Sequence, residues 1–286
     1  MDSVARKPVG IYYDPRLERA GMEFLYGVKE DIKSFLNSPQ VEGLTFTQLD
    51  YDTVQNFVKT LGILIMLQDV IPYTLFDAEY IDLFSLSNNL GRFLNAGGIL
   101  LWMGDVPFFY RLRCYEKGKL PSDPLSQFRE KNKWMSNLKF MEEHLHFTEV
   151  DERTCFRDII GTSYITPSMD SRYMPFRTEY LKFLDLSGIC YSEREVDSNP
   201  TIVGKLLGYS YSKAMRPVKA SHNLIPLSTT KLDFTTCRGT YYPSWIREVG
   251  KGYFVRVLDH PSPGIEEVRG AVDLVMKLGR VQGLID

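Results

Sequence analysis

The chain has 286 residues, 44% hydrophobic and 24% charged, which fits a globular protein and excludes a disordered or fibrous one. Its 34 basic and 36 acidic residues are mixed along the sequence and leave a net charge of −2, so no nucleic-acid-binding surface is expected. The longest uninterrupted apolar run, Ile63 to Leu67, is far short of the roughly 20 residues that span a bilayer.

The opening Met-Asp-Ser-Val-Ala-Arg-Lys-Pro is polar and carries no apolar signal core. Val9 to Tyr13 is short, apolar and stopped by Asp14-Pro15, the pattern of a buried strand. Met22, Leu25, Val28, Ile32, Phe35 and Leu36 then recur at spacings of three and four, predicting an amphipathic helix that ends at Ser38-Pro39. Leu44 to Leu49 alternates apolar and polar residues as a half-covered strand does, and a short helix is expected over Thr53 to Lys59. Gly62 to Leu67 and Ile99 to Met103 are apolar throughout, which suits strands covered on both faces. Between them lies a helical pattern from about Ala78 to Leu94, closed by Ala96-Gly97-Gly98. Gly252 to Leu258 predicts a last strand, and Ile265 to Leu278 a last helix with Val268, Ala271, Val272, Val275 and Met276 as its apolar stripe.

Strand and helix alternating in this way predict an α/β fold, a doubly wound, mostly parallel sheet of flavodoxin-like or amidotransferase-like type. The middle breaks the alternation. Residues 107–246 are expected to be a large insertion or cap on a core made of 1–106 and 247–286. Within it, Leu138 to Phe147 and Glu179 to Leu186 suggest helices, and Thr201 to Tyr209 and Asn223 to Leu227 suggest strands. Arg129 to Lys133 is a short basic stretch with an acid in it, expected to be a solvated helix face. Cys114, Cys155, Cys190 and Cys237 occur singly with no Cys-x-x-Cys, which fits reduced, buried thiols of a cytoplasmic protein.

Gly97-Gly98-Ile99-Leu100-Leu101-Trp102-Met103-Gly104-Asp105, after a helix running into Leu94-Asn95-Ala96, resembles the class I glutamine-amidotransferase-like superfamily. Its ThuA-like and β-galactosidase-middle-domain-like branch is the most similar, and Gly250-Lys251-Gly252-Tyr253-Phe254-Val255 before the last helix fits the same group. The resemblance covers about residues 8–106 and 240–280. It implies an elbow after a strand where the active amidotransferases carry a cysteine. Here the corresponding bend is Met103-Gly104-Asp105-Val106-Pro107, without a thiol or hydroxyl. Amidotransfer by a cysteine thiolate is therefore not expected.

Ligands of open parallel sheets sit at the carboxyl ends of the strands. Those ends carry Tyr13 and Asp14, then Asp50, then Gln68 and Asp69, then Asp105, and last Asp259 and His260. Several carboxylates in one crevice would bind a polar or cationic ligand, and crowding would raise at least one pKa. Each aspartate also has an ordinary explanation as the end of a strand or the cap of a helix. Asp105, at the elbow, and the Asp259-His260 pair are the candidate acid–base groups.

His144-Leu-His146 has a spacing that zinc uses, but no third ligand stands at a recognisable distance, so no metal site is assigned. Pro107-Phe108-Phe109-Tyr110 and Tyr241-Tyr242-Pro243-Ser244-Trp245 would line a pocket or pack a hinge beside the insertion. Gly-x-Ser-x-Gly, Walker A and Gly-x-Gly-x-x-Gly are absent, and no cofactor is assigned.

The missing nucleophile leads to a non-catalytic member of the superfamily, binding a small polar ligand (a sugar or nucleotide derivative) or a partner protein. The alternatives are a hydrolase using carboxylates, Asp105 first, and His260 in the same crevice, with or without a metal, and a structural subunit that forms a homo-oligomer.

Overall fold

The structure, a computed structural model, describes residues 9–16, 46–68, 70–75, 88–104, 107, 110–119, 146–159, 162–164, 173–178, 188–192, 195–234, 237–259 and 263–285. The first half contributes β1 (Val9–Tyr12), β2 (Phe46–Leu49), α1 (Val54–Phe57), β3 (Ile63–Met66), β4 (Val70–Pro72), α2 (Asn89–Asn95) and β5 (Ile99–Met103). There follow β6 (Tyr110–Glu116), β7 (His146–Val150), β8 (Arg153–Ile159), β9 (Thr162–Tyr164), β10 (Tyr173–Thr178) and β11 (Ile189–Ser192). Next come β12 (Val196–Asp197), β13 (Asn199–Pro200), α3 (Ile202–Leu207), β14 (Lys213–Ala214) and β15 (Val218–Lys219). The chain closes with β16 (Leu224–Pro226), β17 (Ser228–Asp233), β18 (Arg238–Tyr242), β19 (Trp245–Val249), β20 (Gly252–Val257) and α4 (Ile265–Val281). The helices expected over 22–36 and 179–186, and most of those expected over 78–94 and 138–147, lie outside the described residues.

The central sheet has the order β16-β19-β20-β5-β3-β1-β2. Its five strands from β20 to β2 are parallel, and β19 and β16 extend it antiparallel. Side chains alternate across this sheet, as period-two strands require. Leu64, Met66, Leu100, Trp102 and Phe254 pack on one face with Phe57 of α1 and Phe93 and Leu94 of α2. Ile63, Ile65, Ile99, Leu101, Val255 and Val257 pack on the other with Val268, Ala271 and Val275 of α4. Both faces are thus covered, which is why β3 and β5 are apolar at every position. Each large side chain buried here contributes at most about 1.5–3 kcal/mol.

Gly252 is required by contact rather than conformation: a Cβ there would collide with the carbonyl oxygens of Leu94 and Gly98. Only a glycine lets the start of β20 run against the turn that leads into β5.

Two further sheets are built largely from the middle of the chain. One has the order β4-β6-β8-β7, with β6, β8 and β7 antiparallel and β4 parallel to β6. The other has the order β13-β17-β18-β15-β11-β10-β9, and β12 pairs with β14 apart from it. Residues 107–246 are therefore shared among sheets: β16 and the start of β19 join the central one, while β4 leaves it for β6.

Two expectations are corrected. Thr201 to Tyr209 is not a strand but holds α3, because its ends are capped. Thr201 Oγ1 accepts from the Gly204 N–H at 3.0 Å, and Gly208 takes the left-handed conformation (φ 86°) that ends helices. Nor are the cysteines reduced. Cys114 is bonded to Cys155 and Cys190 to Cys237, leaving no free thiol. Cys114 and Cys155 stand directly opposite each other on β6 and β8. That pairing depends on register, which the spacing of 41 residues did not reveal.

Candidate functional site

At the ends of β1 and β3, Asp14 is wholly buried and its carboxylate is occupied. It accepts from Arg16 Nε at 2.9 Å, Arg16 Nη2 at 2.7 Å, the Arg16 N–H at 3.1 Å and the Tyr51 N–H at 3.2 Å. Gln68 is equally engaged. Its Oε1 accepts from the Asp14 N–H at 2.9 Å and its Nε2 donates to the Asp14 carbonyl at 3.1 Å. The two residues staple neighbouring parallel strands together. Tyr13 is buried in the apolar cluster on the α4 face. Asp50 acts as a local cap, its Oδ1 accepting from the N–H groups of Asp52 and Thr53 and from the Thr53 hydroxyl.

Arg16 is the hub of this region. Besides Asp14 it reaches Asp151 Oδ2 at 3.1 Å and Asp50 Oδ2 at 3.4 Å. Arg153 forks onto Asp52 at 2.5 and 2.7 Å. These pairs tie the β7–β8 turn to the loop after β2. The Arg153 hydrogen bonds hold the Asp52 carboxyl below the usual range. Burial would raise Asp50, but its bonds to Thr53 and the Arg16 charge outweigh that, and its pKa is lowered. Crowded carboxylates here do not raise one another, because guanidinium groups sit among them. A polar cavity of about 680 Å³ nearby is lined by Glu116, Lys117, Asp151, Glu152 and Arg153, none of them a residue expected from the sequence.

The ends of β5 and β20 are different. Both strands finish on left-handed backbone: Gly104 has φ 112° and Leu258 has φ 54°. For a leucine that conformation is strained by about 1–3 kcal/mol. The next residue, Asp259, is wholly buried. Its Oδ2 accepts from the Arg216 N–H at 3.1 Å, with the Met215 N–H also bonded to the carboxyl. Its Oδ1 has no hydrogen-bond partner among the described residues. Burial pushes the Asp259 carboxyl up to about 6, against the opposing pull of Arg256 and the two backbone donors.

Arg256, also wholly buried, donates from Nε and Nη2 to the Gly104 carbonyl at 3.3 and 3.2 Å, and from Nη1 to the Arg216 carbonyl at 2.7 Å. Near Asp259 the Tyr209 hydroxyl is hydrogen-bonded to Ser244 Oγ, and burial raises the phenols of Tyr209 and Tyr211.

Of the residues expected at the strand ends, Tyr13, Asp14 and Gln68 form one packed group and Asp259 belongs to another. Asp69, Asp105 and His260 lie outside the described residues, as does His144; His146 falls on the edge strand β7. Among the described residues no cluster of three His, Cys, Asp or Glu is placed to hold a metal ion. Arg16, Arg153 and Arg256 were not singled out from the sequence. Arg256 did carry a signal, as the lone charge inside the apolar strand Gly252 to Leu258.

A family model described as the MJECL34 family matches residues 12–134. No curated protein sequence matches the chain. Among solved structures, the chain is similar to Gan42B, a GH42 β-galactosidase, at 11% identity and a TM-score of 0.43, covering 97% of this chain and 30% of that one. The chain thus spans about a third of that enzyme's length. It is also similar to a protein described as ThuA-like from Bacteroides uniformis (14% identity, TM-score 0.42, 95% of this chain and 89% of that one). A cytoplasmic protein from Salmonella typhimurium LT2 matches at 9% identity and a TM-score of 0.40, over 98% of this chain and 100% of that one. No helix among the described residues is long and apolar enough to cross a membrane.

Proposed function

We propose that the chain binds a small polar ligand, a sugar or nucleotide derivative, at the carboxyl ends of β5 and β20. One observation carries this reading: Asp259 is a buried carboxylate with an oxygen lacking a partner among the described residues, set directly after a strained leucine. Leaving a buried acceptor unsatisfied costs about 1–3 kcal/mol, and a fold keeps such costs together where a site needs them. Asp105 and His260, next in sequence after Gly104 and Asp259, are the proposed companions of Asp259.

The strand order supports only the carboxyl edge of the sheet. β2-β1-β3-β5-β20 is, counting only parallel strands in chain order, 2-1-3-4-5, an order whose ligands lie at the carboxyl ends with the switch point between β1 and β3; the choice of β5 and β20 rests on Asp259. The amidotransferase-like elbow at Met103-Gly104-Asp105 lacks a nucleophile, which favours binding over amidotransfer. The Asp259 pKa near 6 favours a second reading, a hydrolase in which this carboxyl and His260 exchange protons near neutrality. The two disulfides fit an oxidising compartment, or the interior of a hyperthermophile, and remove the cysteine argument for a reducing cytosol.

Thermal unfolding against sugars, nucleotides and nucleotide sugars tests the proposal. A ligand at 100 times its Kd adds about 2.7 kcal/mol, a rise of several degrees at roughly 2–4 °C per kcal/mol. The shift is expected to vanish in Asp259→Asn; a shift that survives that substitution places the site elsewhere. No shift with any compound favours a partner protein.

A further inference from the structure

The large apolar side chains that stand exposed among the described residues are Ile202, Val203 and Leu206 on α3, Ile225 on β16 and Val281 at the end of α4. Ile202, Leu206 and Val281 are 80%, 78% and 82% exposed. α3 adjoins both of the other elements. Its Gly204 is buried so closely against the carbonyl after β16 that a Cβ would collide with the Leu227 oxygen, and Thr201 Oγ1 donates to the Pro226 carbonyl at 2.6 Å. On the other side Lys277 Nζ of α4 donates to the Leu207 carbonyl at 3.0 Å.

α3 thus turns its glycine inward and leaves Ile202 and Leu206, four residues apart on one face, toward solvent. Ile225 lies on the same side of the sheet, because it stands directly opposite Ile246, which packs in the cluster around α4. Val281 follows Lys277 by one helical turn. Exposed apolar side chains gathered on neighbouring elements mark a contact surface, whereas single ones scattered over a molecule need no explanation.

The charges set among these side chains are basic. Lys205 lies between Ile202 and Leu206 in sequence, Lys277 and Arg280 come just before Val281, and all three are exposed. The acids of α4, Glu266, Glu267 and Asp273, precede Lys277, toward the start of the helix. Glu248 on β19 stands beside the start of β16, whereas α3 packs on its end.

This chemistry selects among occupants. Two copies meeting here would set Lys205, Lys277 and Arg280 against their own counterparts. A protein partner is usually anchored by aromatic or arginine side chains at the centre of the contact, and this surface is centred on aliphatic ones. A bilayer needs neither pockets nor matched shape: it takes aliphatic side chains into its acyl boundary and bases among anionic headgroups.

We propose that α3, with Ile225 and the end of α4, docks the protein on the surface of an anionic lipid bilayer. Ile202, Leu206 and Val281 enter the apolar boundary, and Lys205, Lys277 and Arg280 meet the headgroups. The contact is peripheral and does not depend on the strand-end site around Asp259.

Flotation of the full chain with vesicles tests this, using phosphatidylcholine alone and phosphatidylcholine with about one-third phosphatidylserine. Binding is expected to the mixed vesicles and not to the neutral ones, and it should fall in high salt, which screens the headgroup charge. Ile202→Ser with Leu206→Ser, at exposed positions, should lower binding about ten-fold with the melting temperature unchanged. Lys205→Glu with Arg280→Glu should lower it about as much. Lys219→Glu with Lys231→Glu, an equal change of charge at exposed positions of the peripheral sheet, should leave it intact. No flotation with the mixed vesicles, equal flotation with the neutral ones, or a loss shared by the Lys219 and Lys231 variant overturns the proposal. So does self-association in place of flotation, if Ile202→Ser with Leu206→Ser abolishes it, since that assigns the surface to a second copy.

Discussion

Asp14 and Asp259 are both wholly buried aspartates at the ends of parallel strands, and their surroundings separate them. Asp14 receives four donors, two of them from a guanidinium, so its charge is compensated where it stands. Asp259 keeps one oxygen without a partner among the described residues, and burial raises its pKa. The consequence for stability has a definite sign. The folded-state pKa of Asp259, about 6, lies above its ordinary value of 3.8, so its contribution is full below about pH 4 and is lost as pH rises through 6. Between pH 4 and pH 7.5 the wild-type chain should lose about 2 kcal/mol relative to Asp259→Asn. Urea unfolding of both proteins across that range measures it, and parallel curves would show that Asp259 does not titrate in this window. Asp14→Ala carries the opposite expectation. It leaves the Tyr51 N–H without its acceptor and removes one carboxylate from Arg16, which is partly exposed and keeps Asp50 and Asp151, so it should cost about 1–2 kcal/mol at neutral pH.

The elements of the central sheet were legible because physics leaves them little choice. A strand covered on both faces must be apolar at each position, and Ile63–Met66 and Ile99–Met103 are. The helix Ile265–Val281 shows its stripe for the same reason. Strands of two or three residues, such as Val196–Asp197 and Lys213–Ala214, have no period to read. At Thr201 to Tyr209, where a strand was expected, the deciding signals were the capping threonine and the left-handed glycine. The site divides likewise. Aspartates at strand ends were visible, but which arginines set their chemistry was not. Arg16 lies two residues past Asp14, whereas Arg153 reaches Asp52 across 101 residues. At this scale Gly252→Ala is the informative substitution. Its methyl group meets two carbonyl oxygens that cannot move without shifting α2 or β5, so a loss of about 1–3 kcal/mol is expected by urea unfolding. An unchanged midpoint would mean the start of β20 has more room than its packing indicates.

Across the whole molecule the two disulfides lie in the peripheral sheets, and none crosses the central one. Cys114–Cys155 joins two strands of the four-stranded sheet, which also has the Arg16 and Arg153 ties and a share of the main apolar cluster. Cys190–Cys237 has less around it. Its core is a small satellite of four buried residues, Cys190, Leu232, Cys237 and Tyr241, with Val196 and Phe234 packed against them. A core of that size supplies little hydrophobic stabilisation, so the covalent bond, which closes a separation of 47 residues, carries a large share there. Loop closure of that length is worth about 4 kcal/mol. Neither bond lies in the central sheet, which holds Trp102 and Trp245, both wholly buried, with Trp245 stacked on Phe254 at 5.5 Å. Reduction should therefore separate the two parts. With dithiothreitol at 25 °C, in a Trp134→Phe background that leaves only these two tryptophans, emission should stay at its native maximum while tryptic cleavage within residues 173–238 accelerates at least ten-fold. The variant Cys190→Ala with Cys237→Ala should reproduce that cleavage without reductant, and Cys114→Ala with Cys155→Ala should not. If emission shifts red together with the cleavage, the sheets unfold as one unit, and the satellite core is part of the same cooperative structure as the strands that carry Asp259.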